Sequence, residues 1–241
     1  MGRYHCASDY KSKTGVKPLG NKTRSEFRSG IHNLGSAYWQ YDFAMYWTIA
    51  MLYLVEFADW NSQAKIGYGC GNGSSTENMG YTDSMPYHTG TTQSSRTTYG
   101  LGTQYRYIEG LWDNVYDWCD GIYFAETSNA DVYCIKNPAS FSDTTGGTKV
   151  GTRATRGGYE KAFTAPSASG FEYALYPNSV DSNLDGTTYT GDYCNYSASG
   201  VVLRVGGSYS QNQYRGLFCL NGNFAATGKY ADTGSRLMKL P

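Results

Sequence analysis

One long apolar segment constrains the fold more than any other part of the sequence. Residues 41–59 (YDFAMYWTIAMLYLVEFAD) contain three charged side chains, Asp42, Glu56 and Asp59, and no basic cluster follows them. A helix of this length would nearly span a bilayer, but acidic residues inside and beside it disfavour insertion. We therefore predict a long helix that is buried on most of its circumference and forms the centre of the core.

The remaining sequence indicates short elements joined by long loops. A shorter helix is predicted at residues 21–33, with Asn21 as its cap, Glu26 and Arg28 on an exposed face, and Gly35 ending it. Residues 67–102 are rich in Gly, Ser, Thr and Asn, which is typical of loops. Strands are predicted at residues 132–135, 201–205 and 217–220. The fold class is therefore α+β, with two helices plus short antiparallel strands and long loops.

Composition and charge exclude several classes of protein. The 20 basic and 20 acidic side chains cancel, whereas a nucleic-acid-binding domain is strongly basic. The aromatic fraction of 16% is too high for a disordered chain. The first residues contain no apolar run, so no signal peptide is predicted. The six cysteines form no C-x-x-C motif, which favours free thiols over a zinc site.

Three stretches in the second half of the chain carry a family resemblance. Residues 110–118 (GLWDNVYDW) resemble the G-x-W-G-N-V-W-E-W signature of the formylglycine-generating-enzyme subclass of C-type lectin folds. Residues 205–209 (VGGSY) resemble that family's R-G-G-S-W stretch, with Arg204 displaced by one position. Residues 234–237 (GSRL) are similar to its terminal G-F-R-L. The three motifs occur in the family's order.

A fourth stretch narrows the resemblance. Residues 54–63 (LVEFADWNSQ), within 38–63, resemble phage and prophage proteins of gut bacteria whose C-terminal region is diversified by a retroelement. Together the resemblance covers residues 21–241 and implies a single C-type-lectin-fold domain with a variable region at about 207–237. Residues 1–20 are polar and irregular, and we expect them to form an arm or linker.

The motif residues also have roles that follow from their chemistry. Trp112, Tyr116 and Trp118 are expected to pack as a buried aromatic cluster. The two glycines at 206 and 207 allow a close backbone approach beside a strand. Arg236 is expected to make a buried fork to a carboxylate or to carbonyls, with Glu109 or Asp117 as candidate carboxylate partners. We interpret all of these residues as structural.

The C-terminal stretch shows a period of two in its residue types. The resemblance implies mutagenesis at adenines, mostly in AAY codons, which reach Asn, Tyr, Ser, Asp and Gly but not Lys, Gln, Glu, Met or Trp. Reachable types alternate with others at 210–214, 219–223 and 228–232. An extended chain aims alternate residues to one side, so Leu220 is predicted to face the core and its neighbours a ligand.

This pattern and the resemblance together give the candidate ligand-binding residues. They are Tyr209, Ser210, Asn212, Tyr214, Arg215, Cys219, Asn221, Asn223, Phe224, Ala226, Gly228, Tyr230 and Asp232. Tyr214, Phe224 and Tyr230 would supply rigid anchors and Arg215 a charged fork. Residues 194–241 hold five basic and one acidic side chain, which favours a partner with an acidic patch.

Two other functions remain open on the same fold. A formylglycine-generating-type oxidase would hold copper on two cysteines, with Cys194 and Cys219, or Cys119 and Cys134, as candidates. A carbohydrate-binding lectin of the usual kind would use calcium, yet residues 112–114 (WDN) have the composition of its W-N-D triplet in a different order. Sugar recognition without a metal is left open. The Asp- and Asn-rich run at 178–192 lacks the Glu of an EF-hand and is interpreted as a turn-rich loop. Neither His88 nor the glycine-rich residues 69–73 match a hydrolase or phosphate-binding motif.

The sequence therefore predicts a non-catalytic protein that binds a ligand and needs no cofactor or metal. The expected partner is a host-cell surface protein or glycan, with no nucleic acid and no membrane insertion. The resemblance implies a place on a phage virion, at the tail, or on a bacterial cell surface. Fusion to, or assembly with, a phage tail structure is part of this expectation.

Overall fold

The structure is a computed structural model that describes residues 1–69, 74–87, 102–125, 130–184, 190–197, 200–211 and 214–241. It is a mixed α+β arrangement, as predicted. The helices are α1 (Arg24–His32), α2 (Phe43–Phe57) and the single turn α3 (Ser62–Lys65). A 3-10 turn occupies Pro138–Ser140.

Thirteen strands occur in the described residues. They are β1 (Tyr38–Gln40), β2 (Gln104–Tyr105), β3 (Ile108–Glu109), β4 (Tyr116–Phe124), β5 (Asp131–Cys134), β6 (Thr148–Thr152), β7 (Gly158–Thr164), β8 (Tyr176–Asp181), β9 (Tyr193–Tyr196), β10 (Val202–Val205), β11 (Leu220–Phe224), β12 (Thr233–Gly234) and β13 (Leu237–Lys239). The strands predicted at 132–135 and 201–205 are β5 and β10. The one predicted at 217–220 is wrong, because β11 begins only at Leu220. Part of the predicted loop at 178–192 belongs to β8.

The main sheet runs in the order β6-β5-β4-β10-β11-β9-β7-β8, and β12 lies beside β4. Most neighbours are antiparallel, as expected, but β11 pairs with β9 and β12 pairs with β4 in parallel. Strands β1 and β13 form a separate antiparallel pair. This pairing places the C-terminal strand next to the segment that leads into α2.

Helix α2 forms part of the main core, but only on one side. Asp42 caps it by accepting a hydrogen bond from Met45 N at 2.8 Å, and Ala58 ends it in the left-handed conformation. Trp47 and Tyr53 are fully buried, whereas Val55 is 80% exposed. The prediction of burial around most of the circumference is therefore wrong. No helix in the described part of the chain is long and apolar enough to cross a membrane.

Helix α1 differs from its prediction at its first turn. Thr23, not Asn21, is the cap: its hydroxyl accepts from Glu26 N at 3.0 Å, and the Glu26 carboxylate accepts from Thr23 N at 2.7 Å. Arg28, expected to be exposed, turns inward and forms a two-point ion pair with Asp120. The capping box and this ion pair together fix α1 against β4.

Residues 1–20 form no helix or strand, yet they lie against the domain. Gly2 N donates to Leu237 O at 2.7 Å, and Cys6 N donates to Ser235 O at 2.8 Å. His5 and Cys6 are fully buried. Although this segment is polar in composition, part of it is buried, because its backbone groups form hydrogen bonds with the region around the C-terminal strand.

Candidate functional site

The three C-terminal motifs meet around the start of β4. A Cβ atom on Gly206 would lie 2.2 Å from Leu111 O, so the second motif passes directly against the first. Arg236 of the third motif donates to Asp117 at 2.7 Å and to Gly110 O at 2.6 Å. Segments about a hundred residues apart thus form one contiguous unit.

Arg236 is buried and bonds to a carboxylate and to carbonyls, the two kinds of partner that were predicted. Its Nε donates to Asp117 Oδ2 at 2.7 Å, and its Nη1 and Nη2 donate to the carbonyl oxygens of Arg3 and Gly110. Burial alone would raise the pKa of Asp117, but the charges of Arg236 and His5 bring it below its ordinary value. Glu109, the other candidate partner, instead accepts hydrogen bonds from Gly80 N and Thr82 N. The carboxylates of Asp117 and Glu109 therefore both make structural contacts.

The motif aromatics are buried, but they do not form one cluster. Trp112 belongs to the main core and donates to Gly67 O at 2.9 Å. Trp118 belongs to a second core with Phe27 and Ile31 of α1. The prediction of a single cluster is wrong, because Trp112 packs in the core that contains α2, whereas Trp118 packs against α1.

A cavity of about 390 Å³ opens beside the centre of the main sheet. This lies within the roughly 300–1,000 Å³ typical of small-molecule sites. Its lining residues are Tyr116, Tyr193, Asn195, Arg204, Gln211, Tyr214, Cys219, Asn221, Asn223 and Phe224. We refer to it as the central cavity.

Strand β11 and the residue before it show the predicted alternation. Cys219, Asn221 and Asn223 line the central cavity, whereas Leu220 is fully buried in the main core. A Cβ on Gly222 would lie 2.5 Å from the ring of Phe124, so this position also faces inward. The period of two along a pleated strand explains both faces.

The described residues of the other two alternating triplets do not lie on strands. Residues 210–211 and 214 lie in irregular turns, and Asn212 lies outside the described residues. Residues 228–232 form a loop in which Tyr230 packs edge-on against Phe224 at 4.7 Å. Their side chains are therefore positioned by individual contacts and not by a common strand face.

The remaining candidate residues have varied surroundings. Tyr209 is half-buried and donates from its backbone N–H to Asn114 O, whereas Ser210 is exposed. Ala226 packs on the second core, and Gly228 lies against the ring of Tyr230. None of these four residues lines the central cavity. Tyr230 and Asp232 do not line it either, but both contact Arg204, which does.

Arg215 is not a surface fork. It is 5% exposed, and its guanidinium donates to the carbonyl oxygens of Ser208 and Gly69. Its own carbonyl accepts from the side chain of Gln63 on α3. The expectation of a charged contact to ligand is therefore wrong, because the segment before β11 folds under α3.

The predicted basic C-terminal surface is largely neutralised. Arg204 pairs with Asp232, Lys229 with Glu26, and Arg236 with Asp117. Arg215 is buried and bonds to backbone carbonyls. Of the five basic side chains in 194–241, only Lys239 has neither an ion pair nor a hydrogen bond to a carbonyl among the described residues. The excess of basic residues therefore gives little reason to expect an acidic partner.

Arg204 is the main residue that the sequence did not assign to the site. Its guanidinium carbon lies 3.9 Å from the ring centres of both Tyr116 and Phe224, an arrangement that favours cation–π attraction. Its Nη1 donates to Asp232 at 3.1 Å and to Thr233 Oγ1 at 2.7 Å. The side chain is thus held rigidly in the cavity wall.

Three polar atoms of the lining are buried and have no hydrogen-bond partner: Arg204 Nε, Asn221 Oδ1 and Asn223 Oδ1. Leaving such a group unpaired costs about 1–3 kcal/mol. These three residues all line the central cavity, where a bound polar molecule could reach the unpaired atoms. Tyr193 and Asn195 on β9 also line the cavity, and the period of two in residues 193–196 (YCNY) is the signal that would have found them.

A buried acidic pair lies next to this wall. Asp192 accepts from Phe218 N at 2.9 Å and from Gln63 Nε2 at 3.1 Å. Glu160 accepts hydrogen bonds from Cys194 and Thr190. Burial raises the pKa of Asp192 to about 7 and holds that of Glu160 well above its ordinary value.

This burial predicts a pH dependence of stability. Because the folded-state pKa of Asp192 exceeds its unfolded value, the folded protein holds the extra proton between about pH 4 and 7. The free energy of unfolding should fall as pH rises through this window, with a contribution of up to about 1.4 kcal/mol per pH unit. Urea unfolding of the wild type and of Asp192→Asn at pH 5, 6 and 7 measures it. An identical slope in the two proteins would contradict the assignment.

The cysteines proposed for a copper site are in buried surroundings. Cys6, Cys119, Cys134, Cys194 and Cys219 are buried free thiols, and Cys70 lies outside the described residues. Burial raises the pKa of the Cys194 and Cys219 thiols, which disfavours the thiolate form that binds metals. Cys219 donates to Tyr193 O at 3.1 Å.

The calcium-like triplet is likewise engaged in structure. Asp113 accepts from Tyr81 and from Thr103, and Asn114 forms two hydrogen bonds with the backbone of Glu77. Within the described ranges no group of three or more His, Cys, Asp or Glu side chains is placed to hold a metal ion. His88 and residues 70–73 lie outside those ranges.

The unpaired amide oxygen of Asn221 on β11 predicts that this position tolerates change. Asn221→Val removes a buried acceptor that has no partner together with the side-chain hydrogen bond to Tyr116, so the free energy of unfolding should change by no more than about 1 kcal/mol. Leu220→Ala, one residue away but facing the core, should lose about 2–5 kcal/mol. Thermal and urea unfolding compare the two. A loss of equal size in both variants would show that Asn221 is a core residue.

Neither known protein-family models nor curated proteins give a match to this chain.

Proposed function

We propose that this chain is a non-catalytic ligand-binding protein that holds its ligand at the central cavity and the adjoining C-terminal loops. The observation that carries the proposal is the wall formed by Cys219, Asn221 and Asn223, in which mutable residue types face a cavity and Leu220 faces the core. A rigid scaffold can change such side chains without refolding.

We further propose that the fold is the C-type lectin fold of the formylglycine-generating-enzyme subclass and that the chain is a retroelement-diversified variable protein. The contact between Gly206 and Leu111, together with the Arg236–Asp117 ion pair, supports this. These contacts join the three motifs that carry the resemblance. On this proposal the protein belongs to a phage tail or a bacterial cell surface and recognises a host-cell surface molecule.

The nucleotide sequence around the gene tests the proposal. It should contain a nearby imperfect repeat of the region encoding residues 207–237, with differences mainly at adenines, and a reverse transcriptase gene. The differences should fall on codons such as those of Asn221, Asn223 and Tyr230, and not on those of Leu220 or Arg236. Absence of both the repeat and the reverse transcriptase would overturn the proposal.

One specific observation favours the alternative that the protein is a carbohydrate-binding lectin. The cavity wall combines aromatic rings with unpaired amide and guanidinium atoms, which suits a polar ligand. The oxidase alternative gains no comparable support, because its candidate thiols are buried in their protonated form.

A further inference from the structure

We infer that the central cavity binds a neutral sugar unit of a glycan, directly and without a metal ion. This inference rests on the proposed function, and it names the chemical class of the ligand. Four features of the cavity carry it: its unpaired polar atoms, its charge balance, its aromatic walls and the absence of carboxylates among its described lining residues.

The unpaired atoms call for a ligand that both donates and accepts hydrogen bonds over a short distance. Arg204 Nε is a donor, and Asn221 Oδ1 and Asn223 Oδ1 are acceptors. Arg204 and Asn221 are each 6% exposed, so the cavity is the route by which a partner reaches them. A hydroxyl group is both donor and acceptor, and neighbouring hydroxyls on a sugar ring supply the required set.

The charge balance favours a neutral ligand over an anion. Arg204 is the one cation among the described lining residues, and Asp232 already pairs with it at 3.1 Å. A carboxylate or phosphate entering the cavity would therefore meet a guanidinium whose charge is already neutralised by an aspartate. Such a ligand would lose hydration without gaining a full ion pair.

The aromatic side chains supply the apolar half of the site. Tyr193 and Tyr214 pack edge to face at 5.3 Å in one part of the lining, and Tyr116 and Phe224 enclose Arg204 in another. The C–H face of a pyranose is apolar and packs on such rings, while its hydroxyl edge meets the polar atoms. A cavity of about 390 Å³ has room for a single sugar ring.

Metal independence follows from the donor set. The described lining contains amides, hydroxyls, a thiol and a guanidinium, but no carboxylate. Calcium sites in proteins are built mainly on carboxylate and carbonyl oxygens. The sugar hydroxyls must therefore bond directly to Asn221, Asn223 and Arg204.

The experiment measures binding of the methyl glycosides of galactose, glucose, mannose and N-acetylglucosamine by saturation-transfer NMR and calorimetry, with N-acetylneuraminic acid as the anionic probe. At least one neutral glycoside should bind with a dissociation constant of about 1 mM. EDTA should leave the affinity unchanged. Asn221→Ala and Asn223→Ala should each weaken it by about ten-fold, a loss of about 1.4 kcal/mol.

The matched control is Asn178→Ala, which removes an exposed asparagine on β8 outside the lining and should bind as the wild type does. Unchanged melting temperatures in the cavity variants show that lost binding is not lost folding. Four outcomes overturn the inference: no neutral glycoside binds, only the anionic sugar binds, binding survives both cavity substitutions, or selection yields an unglycosylated peptide that occupies the cavity. In every such case a diversified repeat at the gene would leave the proposed function standing.

Discussion

Asp120→Ala is expected to lower the free energy of unfolding by about 3–5 kcal/mol. Asp120 is fully buried at the middle of β4 and accepts from Arg28 Nε at 2.6 Å and from Arg28 Nη2 at 2.9 Å. The fully buried Arg24 lies 3.8 Å from it and also pairs with Asp143. Removing the carboxylate leaves the guanidinium groups of Arg24 and Arg28 with Asp143 as their one remaining aspartate partner.

Urea unfolding at pH 7 measures this loss. Asp9→Ala is the control, because it removes one partner of an exposed ion pair with Lys13. Exposed pairs of this kind contribute about 0–1 kcal/mol. If Asp120→Ala lost no more than Asp9→Ala, then α1 would not depend on this network for its docking.

Gly206→Ala is expected to cost about 3 kcal/mol or more. Gly206 has a φ of 93°, and an added Cβ would lie 2.2 Å from Leu111 O, a backbone atom that cannot rotate away. The strain should spread to β10, which carries Arg204 into the central cavity. We therefore expect ligand binding to fall together with stability.

The control for this prediction is Gly146→Ala. Gly146 has a φ of 79° but no atom within 4 Å of an added Cβ. Because both positions share the left-handed backbone, the control isolates the strain of φ, about 1–2 kcal/mol. Melting temperatures and urea midpoints compare the two. Equal losses in both would show that the contact between the two motifs is not close.

Local pattern was sufficient for the parts of the site that lie on one strand. The period of two at residues 219–223 predicted which side chains face the cavity, because pleating alone sets the direction of successive side chains. The same reasoning failed at 228–232 and at the described positions 210, 211 and 214. Those residues lie in turns and loops, where no fixed period relates sequence to direction.

The burial of charged side chains was not predictable from local sequence. Arg28 and Arg215 both have the pattern of exposed residues, yet one pairs with Asp120 and the other bonds to Ser208 and Gly69. Arg204 stood beside a recognised motif but could not be placed in the cavity. In each case most of the partners lie far along the chain.

The sequence by itself determined the apolar helix, the α+β class, the burial of Arg236 against a carboxylate and the alternating faces at 219–223. Each of these follows from hydrophobicity, periodicity or the need of a buried cation for a partner. The tertiary structure decided that this partner is Asp117 and not Glu109. Only the tertiary structure decided that α2 leaves Val55 exposed, that β11 begins at Leu220 and that Arg204 stands in the cavity wall. Those outcomes depend on which segments, distant in the sequence, pack over a residue. Local sequence patterns carry no information about such long-range contacts.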